Sequence, residues 1–290
     1  MQSAIGELPL RASVVRWDAP ARLVLVPSLL ATHRIAVHVE DHLTALGDVF
    51  AAIRGHDSGC TSYGVDDGSG RWFVKVAYDA DVGQLRSAER FHAAVSHPAI
   101  VPLRHAFDVP GGRAVVYPWV PGEILNDPFS PGGRPHAASD SALNRFRARP
   151  VASIERVLDT VIDAHVTVAG HGFVAVDFYD GCLMYDAANE QIRLVDLDGY
   201  RPGPYVLETD RQYGSRRFMA PEEFVRGATI DERTTVYTLG RTARVLLGEA
   251  GHWRGSAASE RVVDRATADQ PADRFGSVDA FAAAWLDSRV

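Results

Sequence analysis

Arg71-Trp72-Phe73-Val74-Lys75-Val76-Ala77-Tyr78 is the stretch whose reading decides the fold. Its aromatic and β-branched residues have the composition of a buried β-strand, and one long cation sits in the middle. Lys75 is the only lysine in 290 residues; the other 29 basic residues are arginines. A planar guanidinium does not replace an ammonium where a compact point charge is needed. A lone lysine kept on a buried strand therefore points to an anion opposite it, and phosphate is the expected one. The competing reading is a strand lysine whose stem carries its charge out to water. It gives no reason for lysine to survive at this one place.

Working outward, Thr61–Val65 and Arg71–Tyr78 flank Asp66-Asp67-Gly68-Ser69-Gly70, a hairpin signal. Before them, residues 54–61 form a loop with two glycines, and a short helix or strand is expected around 46–53. Further back, Arg22–Val26 and Arg34–Val39 read as strands. Downstream, Val82, Leu85, Ala88, Phe91 and Val95 keep helical spacing over Asp81–Ser96, ended by His97-Pro98. Ile100–Leu103 and Ala114–Tyr117 read as strands. Residues 126–150, rich in Pro, Gly, Ser and Arg, are expected to be irregular. Val151–Ala169 is expected to be a helix with Ile154, Val157, Leu158, Val161 and Ile162 on one face. Short strands follow at 173–176, 183–185 and 192–197, then a polar loop over 201–217. Helices are expected at Thr234–Leu247 and Val278–Leu286. A β-rich part thus precedes a helical one, which predicts an α+β fold of two lobes around a cleft.

Hydrophobic content of 46% and charged content of 23% are those of a soluble globular domain. A net charge of −7 argues against nucleic acid or an anionic membrane as partner. The scarcity of lysine beside abundant Arg, Ala, Val, Gly and Asp fits a GC-rich, bacterial coding bias. Two cysteines, Cys60 and Cys182, make neither a disulfide framework nor a CxxC zinc pair. No basic start followed by an apolar run opens the sequence, and no apolar stretch approaches the length of a membrane span. A cytoplasmic location is the expectation. The sequence leaves the oligomeric state unread.

The order of these pieces resembles the protein-kinase fold across residues 50–285. Phe73-Val74-Lys75 is similar to the family's lysine strand, which implies that Lys75 faces the phosphates of ATP. Gly55–Gly64 resembles the glycine-rich loop, with Gly55 and Gly59 as its leading glycines. Glu89 is the helix glutamate that the resemblance would pair with Lys75. Tyr117-Pro118-Trp119-Val120-Pro121-Gly122 resembles the hinge between lobes, with Tyr117 as gatekeeper and the backbone of Pro118 and Val120 beside adenine. The resemblance implies a β-rich lobe over 46–120, a helical lobe over 121–290 and an extension of unassigned role over 1–45.

Gly172–Asp186 resembles the catalytic loop, and Asp177 stands where the family has its base. The preceding His and Arg are Ala175 and Val176 here. Cys182 occupies the place of the metal-binding asparagine, and a thiol is a poor ligand for a hard cation. Asp180 is the nearby carboxylate that would substitute. Val195-Asp196-Leu197-Asp198-Gly199 resembles the DFG segment, which implies Asp196 as a ligand of Mg²⁺ or Mn²⁺, with Asp198 beside it. Ala220-Pro221-Glu222 matches the end of the family's activation segment, and Arg274 is the expected partner of Glu222. Val176 offers no charge to a phosphorylated activation segment, so control by phosphorylation is not expected.

The resemblance implies an ATP-dependent phosphotransferase in which Lys75, Asp177 and Asp196 carry the chemistry. The phosphate acceptor would be a protein, a peptide or a small molecule. The altered metal side leaves a second expectation open: a pseudokinase that holds nucleotide, or serves as a scaffold, without transferring phosphate.

Overall fold

A five-stranded antiparallel sheet and a helical body meet along one cleft in the computed structural model, which describes residues 28–55, 59–126, 140–249 and 251–289. The sheet contains β1 (Asp48–Ile53), β2 (Thr61–Asp66), β3 (Arg71–Tyr78), β4 (His105–Val109) and β5 (Gly112–Pro118). Their spatial order is β1-β2-β3-β5-β4. Lys75 lies at the centre, opposite Ser62 of β2 on one side and Val115 of β5 on the other.

Alternation along β3 sets the layers. Val74 and Val76 join Leu29, Val39, Leu43 and Phe107 in a core on the outer face. Residues 28–46, including helix α1 (Val39–Leu46), cover that face. Ala77, one pleat from Lys75 on the opposite face, packs with Leu85 of helix α2 (Val82–Ala94) and with Val115. Lys75 therefore points into the space between α2 and the helical lobe.

Three sequence expectations need correction. Arg34–Val39 is not a strand: Arg34 makes a single bridge to Asp108, and the imidazole of His38 caps α1 by accepting from the Glu40 N–H at 3.4 Å. Glu40 and Asp41 in the first turn suit a helix start, and Val39 and Leu43 supply its buried face. Ile100–Leu103 is not a strand either. Ile100 bridges to Leu194 and pairing stops there, with Pro102 unable to donate. The strand is β4, whose alternation is obscured by His105 and Asp108. Within 126–150, Ala142–Arg147 forms helix α3, capped where the Asn144 N–H donates to Ser141 Oγ at 3.2 Å. The expected strand at 22–26 and residues 127–139 lie outside the described residues.

The helical lobe is built on α4 (Val151–Gly170), whose predicted apolar face is buried throughout. It packs against α5 (Glu232–Leu247) and α7 (Val278–Asp287), with α6 (Ala257–Ala266), not read from the sequence, alongside. Small strands β6 (Glu123–Ile124), β7 (Phe173–Val174), β8 (Leu183–Asp186) and β9 (Gln191–Leu194) carry the chain past the cleft. Phe91 of α2 packs edge-on against Phe173 and Tyr200, joining the lobes behind it. No helix among the described residues is long and apolar enough to cross a membrane.

Glu222 meets Arg274 in a two-pronged ion pair at 2.7 and 2.8 Å, with Thr234 donating to the same carboxylate at 2.8 Å. The arginine side chain is fully buried. Arg274→Ala leaves Glu222 buried without its cation, so unfolding in denaturant should report a loss of about 3–5 kcal/mol.

Candidate functional site

The cleft between the lobes has a volume of about 1100 Å³. Its roof is β1, through Ala51, Ala52 and Ile53, and its floor includes Met184 and Leu194. At the inner end, the Lys75 ammonium donates to Asp196 Oδ1 at 2.5 Å and to Asp198 Oδ2 at 2.7 Å. Burial acts to discharge this ammonium, but the two carboxylates outweigh it and hold its pKa well above the ordinary lysine value. Asp198 is buried and also accepts from the Tyr117 hydroxyl at 3.3 Å. Burial pushes the Asp198 carboxyl upward, and Lys75 opposes that rise. The Asp196 side chain is half exposed toward the cleft.

Glu89 does not meet Lys75. It forms a two-pronged pair with Arg113, Nε to Oε1 at 2.8 Å and Nη2 to Oε2 at 2.6 Å. The buried face of α2 is Leu85, Ala88 and Phe91, so Glu89 is turned toward the edge of β5. Asp180 is not available as a metal ligand. Fully buried, it accepts from Asn126 at 2.9 Å and from Arg217 at 2.9 and 3.0 Å.

Cys182 does not line the cleft. Its buried Sγ faces the carbonyl oxygens of Asp177, at 3.5 Å, and Asp196, at 3.9 Å. Burial pushes the thiol pKa well up, so it stays protonated and donates. Those two carbonyls belong to residues with φ of 57° each, the left-handed region that costs a non-glycine residue on the order of 1 kcal/mol or more. Cys60 sits behind β3 with Ala77 and Leu85. Among the described residues no group of three or more His, Cys, Asp or Glu side chains is placed to hold a metal. The expected set of Asp180, Asp196 and Asp198 is therefore not assembled.

Asp177 is held by the loop before Ala220: its Oδ1 accepts from the Ser215 N–H at 3.1 Å. Burial raises its carboxyl to about 6, against that hydrogen bond. The loop before it is fixed from below, where the Ala175 N–H donates to Thr235 Oγ1 of α5 at 3.1 Å. Thr235 is thus a positioning contact.

Tyr117, Pro118 and Val120 line the cleft, and the Trp119 N–H donates to the Arg71 carbonyl at 2.8 Å. Gly55 and Gly59 have φ of 78° and 71°, which suits glycine, but the described lining comes from Ala51–Arg54. Residues 56–58 lie outside the described residues. His92 is a cleft residue that sequence reasoning missed. It packs edge-on against Tyr117 at 5.4 Å, and burial lowers its pKa to about 4, keeping it neutral. Its signal was its spacing: His92 falls four residues after Ala88 and seven after Leu85, on the buried side of α2.

No protein-family model and no curated protein sequence matches the chain. Among solved structures, the kinase domain of PknI from Mycobacterium tuberculosis is similar, with a TM-score of 0.58 and 19% identity. The match covers 84% of this chain and 96% of that one. The chain thus has a two-lobed protein-kinase-like fold.

A raised carboxyl pKa means that the folded state binds more protons than the unfolded state between 3.8 and about 6. Asp177 therefore weakens folding progressively as pH rises through that window. Asp177→Asn keeps the oxygen that accepts from Ser215 and removes the charge. Above that window the variant should be the more stable by on the order of 1–2 kcal/mol, allowing for partial contact with water. Thermal melts across pH should show the gap closing as pH falls toward 3.8.

Proposed function

We propose that the cleft binds ATP and that the chain transfers its terminal phosphoryl group to a hydroxyl of a protein, peptide or small molecule. The observation that carries this reading is the single lysine, buried and ion-paired at the inner end of an apolar-walled cleft beside Asp196 and Asp198. The fold adds its own support, since kinase-like folds place phosphates between their lobes.

In this reading Lys75 neutralises phosphate oxygens at the inner end of the cleft. Two carboxylates favour its charged form and hold its pKa above the ordinary lysine value, so the ammonium predominates at neutral pH. Asp177 holds the acceptor hydroxyl and takes its proton as the oxygen bonds to phosphorus and the bond from phosphorus to the nucleotide breaks. With a pKa of about 6, Asp177 is largely ionised at neutral pH and still basic enough to accept. A divalent cation would add charge neutralisation at the phosphates. Only Asp196 among the expected ligands both lines the cleft and escapes burial, so Asp196 is the residue that would hold it.

The buried Cys182 thiol and the paired Asp180 favour a second reading, in which the cleft binds nucleotide without transferring phosphate. Both readings require ATP to bind. ATP at about 100 times its dissociation constant should add roughly 2.7 kcal/mol to stability. Absence of a thermal shift with Mg²⁺, with Mn²⁺ and with neither would remove both. Turnover lost in Asp177→Asn with the shift retained, and falling below pH about 6 in the parent, marks the enzyme. A shift with no turnover in the parent marks the binding module.

A further inference from the structure

We propose that Asp198 is the anchor that positions Lys75, replacing a helix carboxylate in that task and leaving Asp198 outside any metal shell. The inference rests on the reading of the cleft as a nucleotide site and says how that site is held. Four observations carry it. The Lys75 side chain is 9% exposed and the Asp198 side chain 7%, so the contact at 2.7 Å is shielded from water. Asp198 is fixed from its other oxygen by Tyr117 at 3.3 Å, which leaves the carboxylate a defined orientation. Glu89, the one carboxylate on α2, is committed to Arg113. Asp196 shares Lys75 but is half exposed, so water and ligands compete for it.

Shielding decides between the two aspartates. A contact screened from water holds more firmly than one that water can replace. Lys75 can turn from Asp196 toward a phosphate and remain bonded to Asp198. The arrangement also uncouples α2 from the lysine. In a site whose lysine is held from the helix, moving the helix moves the lysine. Here the anchor lies two positions after Asp196, whose φ is 57°, in the same segment. The lysine and the phosphate-side carboxylate are thus placed by one piece of backbone. Asp198 has both oxygens engaged by protein donors, which removes it as a second ligand for a cation.

The single lysine makes the test unusually clean. In an untagged chain labelled with ¹³C,¹⁵N-lysine, one side-chain Cε signal reports Lys75 alone. In the parent this signal should not titrate up to the ordinary lysine pKa. Asp198→Asn should lower its titration midpoint by about one unit or more, whereas Glu89→Gln should leave it in place. ATP affinity measured in EDTA should fall about tenfold in Asp198→Asn, a tenfold change being about 1.4 kcal/mol, and stay at the parent value in Glu89→Gln. If Asp198→Asn does not fold, Tyr117→Phe loosens the same carboxylate and should shift the Lys75 signal in the same direction. The proposal is overturned if Glu89→Gln displaces the signal while Asp198→Asn, or Tyr117→Phe in its stead, leaves it unchanged. It is equally overturned if both aspartate-side changes leave the signal and the affinity at parent values. A parent that shows the predicted lysine behaviour but binds no ATP supports the anchor and refutes the nucleotide reading, so the two failures are distinguishable.

Discussion

A single ammonium buried between two carboxylates is the constraint around which this structure is arranged. Removing Lys75 from water is costly unless negative charge meets it, and Asp196 and Asp198 supply that charge at 2.5 and 2.7 Å. Meeting the requirement draws in the rest of the inner cleft. β3 must be central so that its lysine is held between β2 and β5. The 195–199 segment must pass directly below it. Tyr117 must present its hydroxyl to the second aspartate. The outer face of the sheet must be closed so that β3 is dry on both sides, and residues 28–46 close it.

The loop that carries Asp177 is tied to the same point by strain and a thiol. Asp177 and Asp196 both have φ of 57°, and the Cys182 Sγ faces both of their carbonyl oxygens. Cys182, a poor ligand for a hard cation, is thus well suited to another task. It bridges two backbone segments that hold the acidic groups, in a space too apolar for a thiolate. Asp180 is similarly occupied, with Arg217 and Asn126 around it, and so ties the segment around Arg217 and the start of the helical lobe to its own loop. Several polar groups that resemble site residues are therefore structural here. In the proposed reading the chemistry falls to Lys75, Asp177 and Asp196.

Much of this was legible in the amino-acid sequence, for identifiable reasons. The lone lysine was visible because composition isolates it. The hairpin around residues 66–70 and the apolar face of α4 follow from periodicity, and both are present as read. The pair of Glu222 with Arg274 was read by resemblance and is there. What failed depended on rotation and on competition for partners. Whether Glu89 faces Lys75 or Arg113 turns on about 100° of helix azimuth per residue, which charge spacing does not reveal. Asp180 was a plausible ligand in sequence only because Arg217, 37 positions away, gives no local sign of claiming it. β4 was missed because His105 and Asp108 mask its alternation, and α1 because its short β-branched flank imitates a strand.

The central claim, that phosphate is bound opposite Lys75, has a direct test that the composition makes possible. An acyl-phosphate derivative of ATP acylates a lysine lying beside its phosphates: the minor, deprotonated amine attacks the acyl carbon, ATP departs, and the proton passes to solvent. With one lysine in the chain, peptide mapping needs to examine a single lysine side chain. Acylation of Lys75 that is suppressed by excess ATP is the result this account predicts. A Lys75 that stays unmodified, or is modified to the same extent whether or not ATP is present, would contradict it.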